Sequence, residues 1–242
     1  MKTREPIFNV PGAVVLVLAV MIGVHAARQL MSADTDNWFV GLLAFIPCRY
    51  DGCAGQLPGG TTASVTSFLT HLFVHGDIVH LCFNCAGLLA FGGAIAKRIG
   101  AARFFSFFAF TGIAGALAFL IFNFGALVPV VGASGAISGL MGGTMRYLFA
   151  ALDEGGIGEL RESPRSIRLM PLKETLGDRR VQFATAAWLI MNVLAVYGVG
   201  TGGATGAIAW QAHIGGYLAG LLTFGFFDLA NAKEQQSQPT FH

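Results

Sequence analysis

Gly132-Ala133-Ser134-Gly135-Ala136-Ile137-Ser138-Gly139 sets a serine between glycines where an apolar loop turns into an apolar helix. The rest of the chain decides how this stretch is read. Of 242 residues, 54% are hydrophobic and only 12% are charged, with a mean hydropathy of +0.64. A soluble domain carries about 25% charged residues. The composition therefore specifies an all-α polytopic membrane protein with a single helical core. A net charge of +2, with no basic patch interleaved with aromatics, leaves nucleic acid out as a partner.

Outward from Ser134, charged residues mark the edges of six apolar stretches of about 17–25 residues, the length that crosses about 30 Å of hydrocarbon. They run from about Val10 to Met31, Ile78 to Ala96, Ala101 to Phe122, Ser134 to Ala150, Phe183 to Val199 and Ala209 to Phe227. The first is too long for a signal-peptide core. Orientation follows from Lys and Arg. With six alternating spans, Lys2, Arg4, Lys97, Arg98, Arg103, Arg161, Arg165, Arg168, Lys173, Arg179, Arg180 and Lys233 share one side. Only Arg28 and Arg49 fall near the other, and Arg146 lies within the fourth stretch. Both termini are therefore expected in the cytoplasm.

The expected organisation is a cytoplasmic N-terminus over 1–9, a six-helix core over 10–230 and a disordered cytoplasmic tail over 231–242. Within the core, a first outer loop covers about 32–76 and a solvated cytoplasmic loop about 152–181. In the outer loop, Trp38 to Ile46 is apolar but too short to span, and is expected to lie in the interface. Asp77 is placed to cap the second span. Cys48 and Cys53 could pair if this loop faces an oxidising compartment. The run Phe104-Phe105-Ser106-Phe107-Phe108 is expected to face lipid. No internal repeat accompanies the spans, so a transporter built on inverted repeats finds no support.

Polar side chains at membrane depth are costly and mark function. In the second span His80 and Asn84 are four apart and share one helix face. In the sixth, His213 precedes Gly216 and Gly220, a small-residue face that admits a neighbouring helix. Gly135, Gly139 and Gly143 offer a matching face on the fourth span, so the two could pack closely and bring Ser134 to His213. Depth agrees. Counted from the inner boundaries at Lys97, Asp153 and Asp228, the residues His80, Ser134 and His213 sit roughly 22–29 Å up. All three share one layer just below the outer surface. The loop Gly125 to Val131 must then dip into protein to deliver Ser134, because bare backbone is not tolerated in lipid.

A serine hydroxyl needs a base to take its proton, and a neutral His213 suits that task. Ser134 at a helix N-terminus has free backbone N–H groups beside it, which favour developing negative charge. Asn84 and His80 could add donors to an oxyanion hole. No Asp or Glu lies within a span, so the expected unit is a dyad. A metal site is the competing reading, because His71, His75, His80, Cys82 and Cys85 lie close in sequence with ligand-like spacings. The cysteines sit deeper than His71 and His75, and no metal or cofactor is expected.

At these residues the sequence resembles the rhomboid intramembrane serine proteases. The resemblance is carried by Thr70-His71-x3-His75-x4-His80-Leu81-x2-Asn84, by Gly132-Ala133-Ser134-Gly135 and by Ala212-His213-x2-Gly216-x3-Gly220. It implies a six-transmembrane-helix bundle with Ser134 as nucleophile and His213 as general base. His80, Asn84 and the Ser134 amide would hold the oxyanion. Single-span membrane proteins would be the substrates, cut near the outer face, with Trp188 at the lateral gate. A bare core of this kind suits a bacterial inner membrane. Three departures accompany it. Thr66-Ser67 replaces a Trp-Arg pair of the outer loop, Ala96 an acidic residue, and Ser138 a ring that in some members stacks on the base. The alternative function is a non-proteolytic, rhomboid-like pseudoprotease that binds transmembrane helices.

Overall fold

The computed structural model describes residues 10–197 and 209–228. The expectations for 1–9 and 231–242, for Lys2, Arg4 and Lys233, and for the end of the fifth stretch at Val199 lie outside the described residues. Those described form helices joined by loops, with a single isolated β-bridge between Phe45 and Val130.

The first helix, α1 (Gly12–Arg28), buries Val14, Val17 and Met21 and exposes Val15, Leu16 and Ile22. The short α2 (Ala33–Leu43) is capped by Ser32, whose hydroxyl accepts from Thr35 N. The expected interfacial stretch divides here: Trp38 is exposed on α2, whereas Ala44, Phe45 and Ile46 are buried. After α3 (Gly60–Thr70) comes α4 (Ile78–Gly87), whose N-cap Asp77 accepts from His80 N at 2.8 Å. A π-helical turn (Leu88–Gly92) carries it into α5 (Gly93–Ile99). Gly100, at φ +81°, then reverses the chain into α6 (Ala101–Phe122), a turn that residues with a Cβ rarely adopt. Ile78–Ile99 and Ala101–Phe122 are each long and apolar enough to cross a membrane.

Helix α7 (Ser134–Met145) is the central post: every residue from Gly135 to Met145 except Met141 is buried. It is shorter than the expected span to Ala150. Arg146 is buried at its end, donating to Met170 O and Leu221 O, and Tyr147 leaves helical geometry before α8 (Leu148–Glu154). A buried guanidinium must find carbonyl partners, and these come from outside α7. The next helices are α9 (Gly156–Glu162), α10 (Leu172–Gly177), α11 (Arg179–Val196) and α12 (Trp210–Phe227).

Two sequence expectations are corrected. The cytoplasmic loop is not simply solvated, because Ile167 and Met170 are buried and Arg165 donates to Lys97 O and Arg98 O. The phenylalanine run does not face lipid as a whole: Phe104, Phe107 and Phe108 are core residues and only Phe105 is exposed. In a helix that is apolar all round, hydrophobicity does not mark the buried face.

Helices α6, α7 and α12 meet along glycines. A methyl group on Gly216 would strike the carbonyl oxygen of Gly135, and one on Gly220 that of Gly139. Gly142 abuts the Tyr217 carbonyl, and a Cβ on Gly115 would lie 2.7 Å from Ala212 O. Gly143, expected on the α12-facing stripe of glycines, meets α12 at the ring of Phe224 rather than at backbone, beside Phe107 of α6. Close backbone approach of this kind is how helices associate where lipid removes the hydrophobic drive.

Candidate active site

Ser134 opens α7 at the end of a loop that is stitched to the outer segment. Phe45 N and Val130 N each donate to the other's carbonyl, Cys48 N donates to Ala126 O, and Gly132 N to His71 O. Cys48 and Cys53 are disulfide-bonded just beyond this seam. Arg49 is buried and donates to Gly41 O, Pro58 O and Gly60 O, so one guanidinium gathers the outer loop. These bonds give the backbone of the loop leading into Ser134 partners within the protein.

The glycine contacts seat α12 so that His213 Nε2 lies 2.8 Å from Ser134 Oγ. Both residues are half-buried. His213 Nδ1 lies 2.6 Å from Asn192 Oδ1 on α11. Sequence reasoning missed Asn192. A polar residue at depth, in a stretch already taken as a span, was the signal that could have found it. Ser138, one turn along α7 from Ser134, donates to Ser134 O at 2.7 Å.

Gly132 has φ +110°, and a Cβ there would come within 2.6 Å of His80 Nε2 and 3.8 Å of Asn84 Nδ2. The structure therefore brings His80 and Asn84 against the backbone two residues before Ser134. Asn84 is buried and its Nδ2 donates to His80 O at 2.9 Å. His75 and His80 meet edge to face, with ring centroids 5.2 Å apart. The first-turn N–H groups of α7 have no partner within the helix. A hydroxyl beside an imidazole, with free backbone N–H groups at the same helix start, is the arrangement that acyl transfer requires.

The clustered histidines and cysteines do not converge. His71 Nδ1 donates to Ser67 O at 2.7 Å, and Cys82 is exposed on the outer surface of α4. Among the described residues, no three His, Cys, Asp or Glu side chains are placed to hold a metal ion.

Fold and site together define an all-helical protein with two helices long and apolar enough to cross a membrane and a hydrogen-bonded serine and histidine on adjoining helices. Residues 62–155 match the family model of the rhomboid domain. The chain is 29% identical over 180 residues to the mitochondrial Rhomboid protein 1 of Saccharomyces cerevisiae, covering 72% of this chain and 45% of that one. It is 30% identical over 164 residues to the Rhomboid protease GluP of Bacillus subtilis, covering 68% of this chain and 26% of that one. The chain thus spans less than half the length of either relative. It belongs to the rhomboid family. The matched domain includes His80, Asn84 and Ser134 and stops short of Asn192 and His213.

Proposed function

We propose that this chain is an intramembrane serine endopeptidase. The reading rests above all on the 2.8 Å contact between Ser134 Oγ and His213 Nε2. His213 Nε2 takes the hydroxyl proton as Oγ attacks the scissile carbonyl carbon. The resulting oxyanion is held by first-turn N–H groups of α7 and by donors from Asn84 and His80. The C–N bond then breaks, and the imidazolium returns its proton to the leaving amine. Water, deprotonated by the same ring, cleaves the acyl-enzyme, and the proton goes back to Ser134. One oxyanion donor contributes about 3–4 kcal/mol in comparable sites.

The substrates are single-span membrane proteins, cut near the outer face. The chain crosses a bacterial inner membrane six times over residues 10–230, with both termini in the cytoplasm. Ser134→Ala and His213→Ala each abolish cleavage of a model single-span protein in liposomes, while Asn84→Ala loses less because backbone donors remain. Cleavage that survives Ser134→Ala defeats the reading.

A non-proteolytic binder of transmembrane helices is the second reading. It is favoured by the Asn84 amide, which is turned back onto its own helix at His80 O. Covalent labelling of Ser134 by a fluorophosphonate separates the two, since a binder with an idle serine takes no label.

A further inference from the structure

The base has a second partner, and its geometry is specific. Asn192 is buried on α11, and its Nδ2 donates to Trp188 O at 2.9 Å, one turn earlier. That bond fixes the amide, so Oδ1 is the end turned toward His213 Nδ1 at 2.6 Å. An amide oxygen can only accept. Nδ1 therefore carries the proton, and Nε2 is left with its lone pair toward Ser134 Oγ. A serine needs that tautomer before a histidine can act as its base.

We propose that Asn192 is a positioning residue for the dyad: it sets the tautomer and ring plane of His213. This rests on the protease reading above. Among the described residues the Asn192 side chain bonds Trp188 O and His213 Nδ1 and not Ser134, so it acts through the imidazole. The helix register supports the assignment. Thr185 and Asn192 are seven residues apart on one face of α11, opposite Tyr217 and His213, which are four apart on α12. Thr185 Oγ1 meets Tyr217 Oη at 2.5 Å, and the Trp188 and Tyr217 rings stack at 4.7 Å between centroids. The lower contacts seat α11, and Asn192 carries that seat up to the base. His213 is therefore oriented only while α11 lies against α12.

The test compares the full chain in detergent with Asn192→Leu, which keeps the volume and removes the acceptor, and Asn192→Asp, which keeps the acceptor. Asn192→Leu lowers both kcat and the rate of fluorophosphonate labelling by about 10- to 100-fold, the scale of a misplaced catalytic group. KM stays within about twofold, and Asn192→Asp recovers most of the loss. Independently of any variant at 192, imidazole nitrogen NMR of the wild type, with the His213 signal identified by its loss in His213→Ala, shows Nδ1 protonated. The assignment is overturned if Leu and Asp variants behave alike, if only KM or the unfolding temperature moves, or if the proton sits on Nε2. A wild type that takes no label sinks the protease reading and the assignment together. A labelled wild type matched by Asn192→Leu sinks the assignment alone.

Discussion

Arg98 and Asp228 lie 130 positions apart and form an ion pair of 2.7 Å in which neither side chain is exposed. Arg98 also donates to Pro164 O and Ile167 O, and its guanidinium lies 4.4 Å from the centre of the Tyr147 ring. One side chain thereby joins the end of α5, the segment after α9 and the exit of α12. Removing one partner strands a buried charge, at a cost of about 3–5 kcal/mol. Arg98→Met should lower the unfolding temperature in detergent sharply. Arg98→Met with Asp228→Leu should recover much of it, since an apolar pair leaves no charge behind.

The α7–α12 contact makes its own forecast. Gly220→Ala places a methyl group against the Gly139 carbonyl, an atom with no rotamer to move aside. Overpacking costs about 1–3 kcal/mol where neighbours can shift, and backbone shifts less readily than side chains. Labelling of Ser134 should be lost in Gly220→Ala and in Gly216→Ala, with the unfolding temperature reduced in both.

Gly132→Ala should impair catalysis more than stability. Its φ of +110° disfavours any side chain, and the new methyl group would press on His80 Nε2. The backbone that leads into Ser134 and the His80–Asn84 pair would both be displaced. A fall in kcat of about 100-fold is expected for an ångström-scale shift, measured beside a far smaller change in the unfolding midpoint.

Acid should loosen the outer face. Arg28 Nε and Nη2 hold Asp36 at 2.6 and 3.0 Å, and Arg28 Nη1 donates to His75 O at 2.5 Å. The hydrogen bond from Arg28 holds the Asp36 carboxyl below the usual carboxylate range. Its contribution is therefore fully present above the unfolded value of about 4 and is lost as pH falls through the lower folded value. Wild type and Asp36→Asn should differ in unfolding temperature at neutral pH and converge below about pH 4.

The juxtaposition of Ser134 with His213 was legible because both, with His80, are polar groups counted to one depth in an apolar chain, and Asn84 shares a helix face with His80. Asn192 was not. It is marked as a polar residue within an apolar stretch, but its partner His213 comes only from the helix placed opposite. The buried faces of α6 were equally hidden, because Phe104 and Phe105 are alike in composition and differ only in which neighbour they meet. The docking of Ile167 and Met170 was masked by the charges around them, and Arg146 showed itself as an intramembrane cation without naming Met170 or Leu221 as its partners. The glycine face was half legible: the spacing of Gly135, Gly139 and Gly143 marks close approach, but Gly142, outside that spacing, abuts the Tyr217 carbonyl, whereas Gly143 meets rings.

Because α7 and α12 touch backbone to backbone at Gly216 and Gly220, no side-chain rotamer stands between them at these two contacts, which flank the alcohol and the ring. Their separation is fixed by peptide geometry, and a change of lipid or temperature has nothing adjustable there to act on. On the role proposed for Asn192, throttling comes from outside that pair, through α11 or through what is admitted beside Ser134.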